Sequence, residues 1–221
     1  MTCEVVIPLA KPVDDIPAGN LATLRRKAGH CRACPLWRDA TRTVFGEGPV
    51  HAPAMLIGEQ PGAQEDIAGE PFVGPAGQLL DRAMADAGLD RKALYLTNTV
   101  KHFKYEVRGT AKLHKRANAS EQAACRQWLA AELLRVQPRL VIGLGAMAAQ
   151  TLFGKSFRIT SQRGEWHDLG EGVRGLATWH PSAVLRMPRQ ERRQQAYAEL
   201  VADLREVAAA LDSVGNAGAS S

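Results

Sequence analysis

Three cysteines and one histidine, placed far apart along the chain, constrain the fold more than any other feature of the sequence. Cys31 and Cys34 form a C-x-x-C pair, His102 lies near the middle of the chain, and Cys125 follows it. Three thiolates and one imidazole are enough donors to hold one metal centre. If all four bind one centre, the fold must bring three distant segments together.

The residues alone leave the nature of this centre open. A redox-active C-x-x-C pair normally follows a strand and begins a helix, whereas here Pro35 follows and no strand pattern precedes. Zinc suits three thiolates and one imidazole, and iron–sulfur clusters also accept thiolates with an occasional histidine. A third interpretation is two buried structural thiols without metal, which the polar neighbours His30 and Arg32 disfavour.

Composition limits the class of protein. The 221 residues suit one α/β domain, and a hydrophobic content of 45% supplies its core. Basic residues exceed acidic ones by 28 to 23, and the net charge of +5 is compatible with a polyanionic partner without requiring one. Four cysteines do not make a disulfide scaffold, and Cys3 has no partner pattern. We see no secretory signal and no membrane-length apolar run, so we expect a cytoplasmic protein without a membrane partner.

Hydrophobic patterning predicts a three-layer α/β/α fold around a central, mostly parallel, four-stranded sheet. We expect a flexible leader at residues 1–20, one domain at 21–212 and a disordered tail at 213–221. The predicted strands are residues 54–57, 93–96, 140–143 and 175–179. The predicted helices are residues 21–29, 77–87, 145–152 and 190–211, with another beginning at Ser120, and residues 105–118 are predicted to be an exposed basic loop.

Three loops with chemically useful side chains follow predicted strands, and parallel sheets bind ligands at the carboxyl ends of their strands. The first, residues 58–62, is a tight Gly-Glu-Gln-Pro-Gly turn whose backbone N–H groups could hold an anion or a carbonyl oxygen. The second begins at Asn98, whose carboxamide could read an edge with one donor and one acceptor. The third contains His180, which could donate to a developing oxyanion, and leads to Arg186, which could meet phosphate. Each loop alone also fits a plain turn.

A fourth loop, residues 69–77, is rich in glycine and proline and presents one aromatic side chain, Phe72. Aromatic side chains presented in this way stack on bases, and as often fill a core.

Taken in order, these residues resemble iron–sulfur family 4 of the uracil-DNA glycosylase superfamily, and most of all its UdgX group. The resemblance extends from about residue 31 to about residue 211. The turn at residues 58–62 resembles the UdgX form of the water-activating loop, in which Gln60 stands in place of alanine. Pro71-Phe72-Val73-Gly74 resembles the uracil-stacking loop, and His180-Pro181-Ser182 resembles the second catalytic motif.

The resemblance implies a [4Fe–4S] cluster. Its ligands would be Cys31, Cys34, His102 and Cys125, with His102 in the position of a fourth cysteine, as in UdgX. The basic loop would carry His114 as a nucleophile that attacks the deoxyribose and remains bonded to it.

The same resemblance assigns a substrate and residue roles. The substrate would be uracil-containing DNA, single- or double-stranded, from which a monomer flips and excises uracil. Catalysis would depend on Glu59, His114 and His180, with His180 donating to uracil O2 and Glu59 facing the cationic sugar or orienting the nucleophile. Substrate binding would involve Gly58, Gln60, Pro61, Gly62, Phe72, Asn98, Ser182 and Arg186.

Two other classes of protein stay open. One is a conventional glycosylase that turns over and releases a free abasic site, with His114 only contacting DNA. The other is a non-catalytic iron–sulfur protein that binds DNA through a decayed site.

Overall fold

The computed structural model describes residues 8–218, so Cys3, the start of the predicted leader and the last three residues lie outside the described part. The strands are β1 (Ala54–Gly58), β2 (Tyr95–Asn98), β3 (Tyr105–Arg108), β4 (Ala111–His114), β5 (Leu140–Leu144), β6 (Trp166–Asp168) and β7 (Arg174–Thr178). The helices are α1 (Leu21–Gly29), α2 (Ala63–Ala68), α3 (Pro75–Asp86), α4 (Ala119–Val136), α5 (Ala146–Phe153), α6 (Ile159–Gln162), α7 (Pro181–Leu185) and α8 (Gln190–Gly218). Short 3₁₀ turns lie at Pro35–Arg38 and Arg91–Ala93. None of the helices in this part of the chain is both long and apolar enough to cross a membrane.

The predicted α/β fold with a mostly parallel sheet is confirmed, with one more strand than predicted. The strand order is β2-β1-β5-β7-β6, and only the edge strand β6 runs antiparallel to its neighbour. The parallel strands are almost continuously buried because helices cover both faces of the sheet. β6 has three residues, two partly buried and one exposed, too few to give a recognisable alternation.

Two helical layers cover the sheet. Alternate strand residues such as Leu56 and Ile142 pack into one cluster with α3, α7 and α8. The intervening residues, among them Met55 and Val141, pack into a second cluster with α4 and α5. Because successive side chains of a strand point to opposite faces, each strand stabilises both layers.

The predicted basic loop is instead a β-hairpin. β3 and β4 pair antiparallel, with Tyr105 opposite His114. Gly109 and Thr110 connect them, and only Gly109 has a positive φ, +62°, as a type II′ turn requires at its first central position. The hairpin is exposed, as predicted, and its charged residues obscured the alternation typical of strands.

The two chain ends also differ from expectation. α8 continues to Gly218, into the segment predicted to be disordered, because a nucleated helix extends through weak helix formers one hydrogen bond at a time. At the other end, residues 8–20 contain neither helix nor strand. They are nevertheless anchored, since Leu9 and Ile16 pack on core clusters and the Ala10 N–H donates to the Thr151 carbonyl at 3.0 Å.

Candidate functional site

A cleft of about 760 Å³ opens where the parallel strands end. The predicted catalytic residues Glu59, His114 and His180 all line it. The predicted substrate-binding residues in its wall are Gln60, Gly62, Phe72, Asn98, Ser182 and Arg186, whereas Gly58 and Pro61 do not line it. The fold therefore brings together the three loops whose convergence the sequence predicted.

Gly58, the last residue of β1, lies between an amide and an aromatic ring. A Cβ added to it would come within 2.4 Å of Asn98 Oδ1 and 2.7 Å of Phe72 Cζ. β1 pairs with β2 so that Gly58 is opposite Asn98, which sets this approach. The floor of the cleft thus presents a carboxamide beside a ring, an arrangement that can stack on a planar base and read its polar edge.

The loop carrying Phe72 holds that residue in an unfavourable backbone conformation. Phe72 has a φ of +58° and is 5% exposed. Gly77 makes this possible, because a Cβ there would lie 1.9 Å from the Phe72 carbonyl oxygen. Arg91 donates to the Pro71 and Phe72 carbonyls at 3.1 and 3.4 Å. Backbone strain maintained by surrounding contacts is typical of functional sites.

Glu65, which sequence reasoning missed, joins two of these loops. Its carboxylate accepts from the Gly62 N–H at 3.0 Å and from the Gly74 N–H at 2.7 Å, and the residue is 7% exposed. The turn at residues 58–62 is therefore tied to the loop of Phe72. The sequence signal was a glycine followed three residues later by glutamate, the spacing of a capping box.

His180 has a defined tautomer. Its Nδ1 accepts from the Ser182 backbone N–H at 3.1 Å and lies 2.8 Å from Ser182 Oγ. A neutral ring that accepts at Nδ1 carries its proton on Nε2, for which no partner occurs among residues 8–218. Burial, helped by the charges of Arg186 and His114, lowers the pKa of His180 to about 4. At neutral pH the ring is therefore an uncharged donor at the cleft.

His114 ends β4 at the mouth of the cleft. The surrounding protein lowers the pKa of His114, the Glu59 carboxylate acts in the opposite direction, and Arg186 lowers it further. A neutral imidazole has a nitrogen lone pair that can attack an electrophile. The site thus places a neutral histidine near a carboxylate, an arrangement suited to nucleophilic attack.

Gln60 lines the cleft, but its side-chain amide binds backbone groups of other residues. Its Nε2 donates to the carbonyls of Lys104 and Lys115 at 3.2 and 3.1 Å, and its Oε1 accepts from the Ala117 N–H at 3.0 Å. Lys104 and Lys115 flank the β3–β4 hairpin. Gln60 therefore clamps the hairpin that carries His114.

Three of the predicted metal ligands share one hydrophobic cluster, and the fourth, His102, lies in the loop that follows β2. Cys31 and Cys34 pack on the cluster that contains Cys125, whose Sγ accepts from the Lys101 N–H at 3.2 Å. Burial raises the pKa of Cys34, and raises that of Cys125 to about 12. Within residues 8–218 no three His, Cys, Asp or Glu side chains are arranged around a single ion. A four-iron cluster spreads its ligands more widely, because each protein ligand binds a different iron.

Two local features fit a sulfur-rich cluster. His102 Nε2 lies 2.8 Å from Thr43 Oγ1, whose hydroxyl also lies 3.3 Å from the Ala28 carbonyl. If Thr43 donates to Ala28, His102 donates from Nε2 and keeps Nδ1 as a metal ligand, the usual pattern for ligating histidines. The second feature is Trp128, one helical turn after Cys125, whose buried Nε1–H has no acceptor within the described residues. Sulfide or thiolate sulfur could accept from it.

Lys101 and Glu132 form a buried ion pair beneath the floor of the cleft. No sequence pattern predicted it. Lys101 Nζ donates to Glu132 Oε2 at 2.6 Å, to Thr97 Oγ1 at 2.7 Å and to the Asn98 carbonyl at 2.6 Å. Glu132 Oε1 accepts from the Gly46 N–H at 2.8 Å. Each of the three ammonium protons of Lys101 has an acceptor, and one of these acceptors is the Asn98 carbonyl. Lys101 therefore holds the backbone of Asn98 in place.

With the uracil-containing DNA that the resemblance implies as substrate, we expect Asn98→Ala to reduce uracil release sharply. The substitution removes a donor and an acceptor from the floor of the cleft, and each unpaired polar group left behind costs about 1–3 kcal/mol. Base release from an oligonucleotide, compared with binding of undamaged DNA, measures the effect. Equal losses in both measurements, or no loss in base release, would show that the base is read elsewhere.

Comparison with known proteins identifies the family of this chain. A family model described as the uracil DNA glycosylase superfamily matches residues 45–205. A type-4 uracil-DNA glycosylase from Thermotoga maritima is 36% identical over 165 residues, covering 74% of this chain and 82% of the relative. One from Pyrobaculum aerophilum is 34% identical over 176 residues, covering 76% and 86% respectively. A type-5 enzyme from that organism is 28% identical over 182 residues, covering 75% and 76%. The chain belongs to the uracil-DNA glycosylase superfamily.

Proposed function

We propose that this protein is a uracil-DNA glycosylase that, after excising uracil, becomes covalently linked to the abasic deoxyribose through His114. The observation that carries the glycosylase activity is the floor of the cleft. There the Asn98 amide and the Phe72 ring meet at Gly58, with the His180 ring 6.4 Å from that of Phe72. Similarity to type-4 uracil-DNA glycosylases supports the same activity.

Excision begins with a uridine flipped out of the base stack, because the glycosidic bond cannot be reached inside a duplex. Phe72 stacks on the uracil ring. Asn98 pairs with its O4 and N3–H and opposes the 4-amino group of cytosine. The neutral His180 donates from Nε2 to uracil O2.

Bond breaking separates charge. As N1–C1′ cleaves, its electron pair leaves with uracil and accumulates on O2, where the His180 N–H stabilises it. The sugar becomes an oxocarbenium-like cation, as in glycoside hydrolysis, and the Glu59 carboxylate faces it. These residues supply the same step whether water or a side chain then attacks.

The self-trapping step uses His114. Its imidazole lone pair forms a bond to C1′, and the proton on the other ring nitrogen passes to Glu59 or to solvent. The lowered pKa of His114, due mainly to partial desolvation by the surrounding protein, supports the neutral form that this step needs. Glu59 and His114 both line the cleft, so the carboxylate is available to the ring. Both features also suit a glycosylase in which Glu59 directs water, so conventional turnover is the second candidate.

The experiment that tests this function is incubation with a single-stranded oligonucleotide containing one uracil, followed by a denaturing gel. A protein–DNA band that survives denaturant supports self-trapping. Free abasic product with no such band supports the conventional glycosylase. If the protein binds DNA but forms neither the covalent band nor the abasic product, both functions are contradicted.

We also propose a [4Fe–4S] cluster held by Cys31, Cys34, His102 and Cys125. The unpaired Trp128 N–H and the orientation of His102 support a sulfur-rich group over isolated thiols. When bound, the cluster would be structural, tying the segment before the first 3₁₀ turn to the loop that follows β2. The floor of the cleft is formed by other residues, Asn98 and Phe72, and not by the cluster ligands.

We expect the purified protein to contain iron and sulfide. It should absorb broadly at about 400 nm. His102→Cys should retain this absorbance, because a thiolate replaces the imidazole as ligand. Elemental analysis provides the measurement. Zinc in place of iron would contradict the cluster, and a His102→Cys protein without iron would contradict the assignment of that ligand.

We expect Gln60→Ala to weaken trapping more than uracil excision. The substitution removes three hydrogen bonds that hold the hairpin of His114 and leaves Asn98, Phe72 and His180 in place. The ratio of covalent protein–DNA complex to released uracil should fall in a single-turnover time course. A proportional fall of both would indicate general damage to the cleft.

A further inference from the structure

Two cations on the protein surface are held against aromatic rings. The Arg32 guanidinium lies 4.2 Å from the centre of the Trp37 ring, and Lys112 Nζ lies 4.3 Å from that of Tyr105. Arg38 lies 5.8 Å from the Trp37 ring. The three cationic side chains are exposed and the two rings are half-buried. Stacking limits the freedom of these cations, so less entropy is lost when they bind a ligand.

These five residues form one surface, here called the cation–aromatic strip, that leads to the cleft. Tyr105 Oη donates to the Asp39 carbonyl at 3.0 Å, which joins the hairpin to the segment of Trp37 and Arg38. Tyr105 lies opposite His114 in the β-ladder, and Lys112 lies on the same face of the hairpin. The strip therefore runs from the C-x-x-C segment to the residue at the mouth of the cleft.

The cations of the strip are available for an external anion. Within residues 8–218, Arg32, Arg38 and Lys112 form no ion pair with a carboxylate. Neighbouring lysines differ, since Lys104 is paired with Glu121 and Lys115 with Glu106. Residues 31–39 contain one acidic residue, Asp39, and two cations, Arg32 and Arg38.

We infer that the strip binds the phosphate backbone of the DNA that flanks the flipped nucleotide. DNA fits because it extends well beyond the nucleotide in the cleft and because its backbone carries one negative charge at every nucleotide. Guanidinium groups match phosphate geometry with paired N–H donors. This inference rests on the proposed function for its ligand and assigns a second contact region, outside the catalytic cleft.

The test uses the iron-loaded protein and a fluorescent single-stranded oligonucleotide without uracil, so that no excision or covalent step contributes. Each lost phosphate contact should reduce the slope of log K against log salt by about 0.7 on single strands, so Arg32→Ala with Arg38→Ala should reduce it by about 1.4. Lys112→Ala, on a different segment from the cysteines, should reduce it by about 0.7.

Arg205→Ala is the matched control, since it removes one positive charge. Arg205 Nη2 donates to the carbonyl of Asp86 at 3.2 Å. Asp86 ends α3, about 15 Å along the helix axis from Ala76, which lines the cleft. The slope of Arg205→Ala should equal that of the parent. An equal drop for Arg205→Ala and Lys112→Ala would overturn the strip, because the effect would then reflect net charge alone.

Trp37 separates stacking from charge. Trp37→Phe keeps a ring beneath Arg32 and should bind like the parent, whereas Trp37→Ala should weaken binding although every cation remains. Iron content of each variant excludes loss of the cysteine segment as the cause. Parent-like binding by Arg32→Ala, Arg38→Ala and Lys112→Ala together would overturn the inference. If the parent protein excises no uracil and these variants still bind DNA more weakly than the parent, the strip is upheld and the proposed function is contradicted.

Discussion

His114→Ser should abolish the denaturant-stable DNA complex and leave uracil release intact. Serine is shorter than histidine and makes room for water near Glu59, so we expect water to capture the sugar cation in place of the imidazole. The residues proposed to act on the glycosidic bond, Asn98, Phe72 and His180, lie on other segments and are unchanged. Single-turnover assays should show a free abasic site in the variant and covalent complex in the parent.

Two further measurements make this result decisive. Lys115→Ala, one residue further along the chain, should keep the covalent complex, because its ammonium pairs with Glu106 on the exposed side of the hairpin. Mass spectrometry of digested parent complex should place the sugar on His114. An adduct on Lys112 or Lys115, or a complex that persists in His114→Ser, would contradict the assignment.

The fold could be predicted because its strands are nearly continuous apolar runs that end in glycine or polar residues. β1 and β5 fall within one residue of their predicted positions. β2 lies two residues later than predicted, because Arg91–Ala93 form a 3₁₀ turn capped by the Asp90 side chain. β6 and the hairpin escaped prediction because short, exposed strands need no hydrophobic alternation.

The site could be predicted in outline for a different reason. Parallel strands end at one edge, so the positions of Glu59, Asn98 and His180 followed from topology once the strands were recognised. Contacts between side chains distant in sequence could not be predicted. The bonds from Glu65 to Gly74, from Gln60 to the hairpin and from Lys101 to Glu132 join residues whose spacing has no period. They depend on the three-dimensional fold alone.

The buried pair of Lys101 and Glu132 should be the most sensitive of these contacts. Its two side chains are 1% and 0% exposed, and removing one partner of a buried ion pair typically costs about 3–5 kcal/mol. We expect Lys101→Met to lower the free energy of unfolding by about that amount, because the Glu132 carboxylate stays buried without its cation. Lys115→Met is the matched control. Its pair with Glu106 is more than half exposed, so its loss should cost at most about 1 kcal/mol.

A double variant separates the stability of the fold from the placement of Asn98. Lys101→Met with Glu132→Leu removes both buried charges and should regain part of the lost stability in denaturant unfolding. The rest stays lost because the Gly46 N–H and the Thr97 hydroxyl no longer have the Glu132 carboxylate as acceptor.

The double variant cannot regain the hydrogen bond from Lys101 to the Asn98 carbonyl. Uracil excision should therefore stay low in a double variant that folds normally and still binds undamaged DNA. Full recovery of excision with stability would show that the pair serves the fold alone, and that β-sheet pairing with Gly58 suffices to hold Asn98 in place.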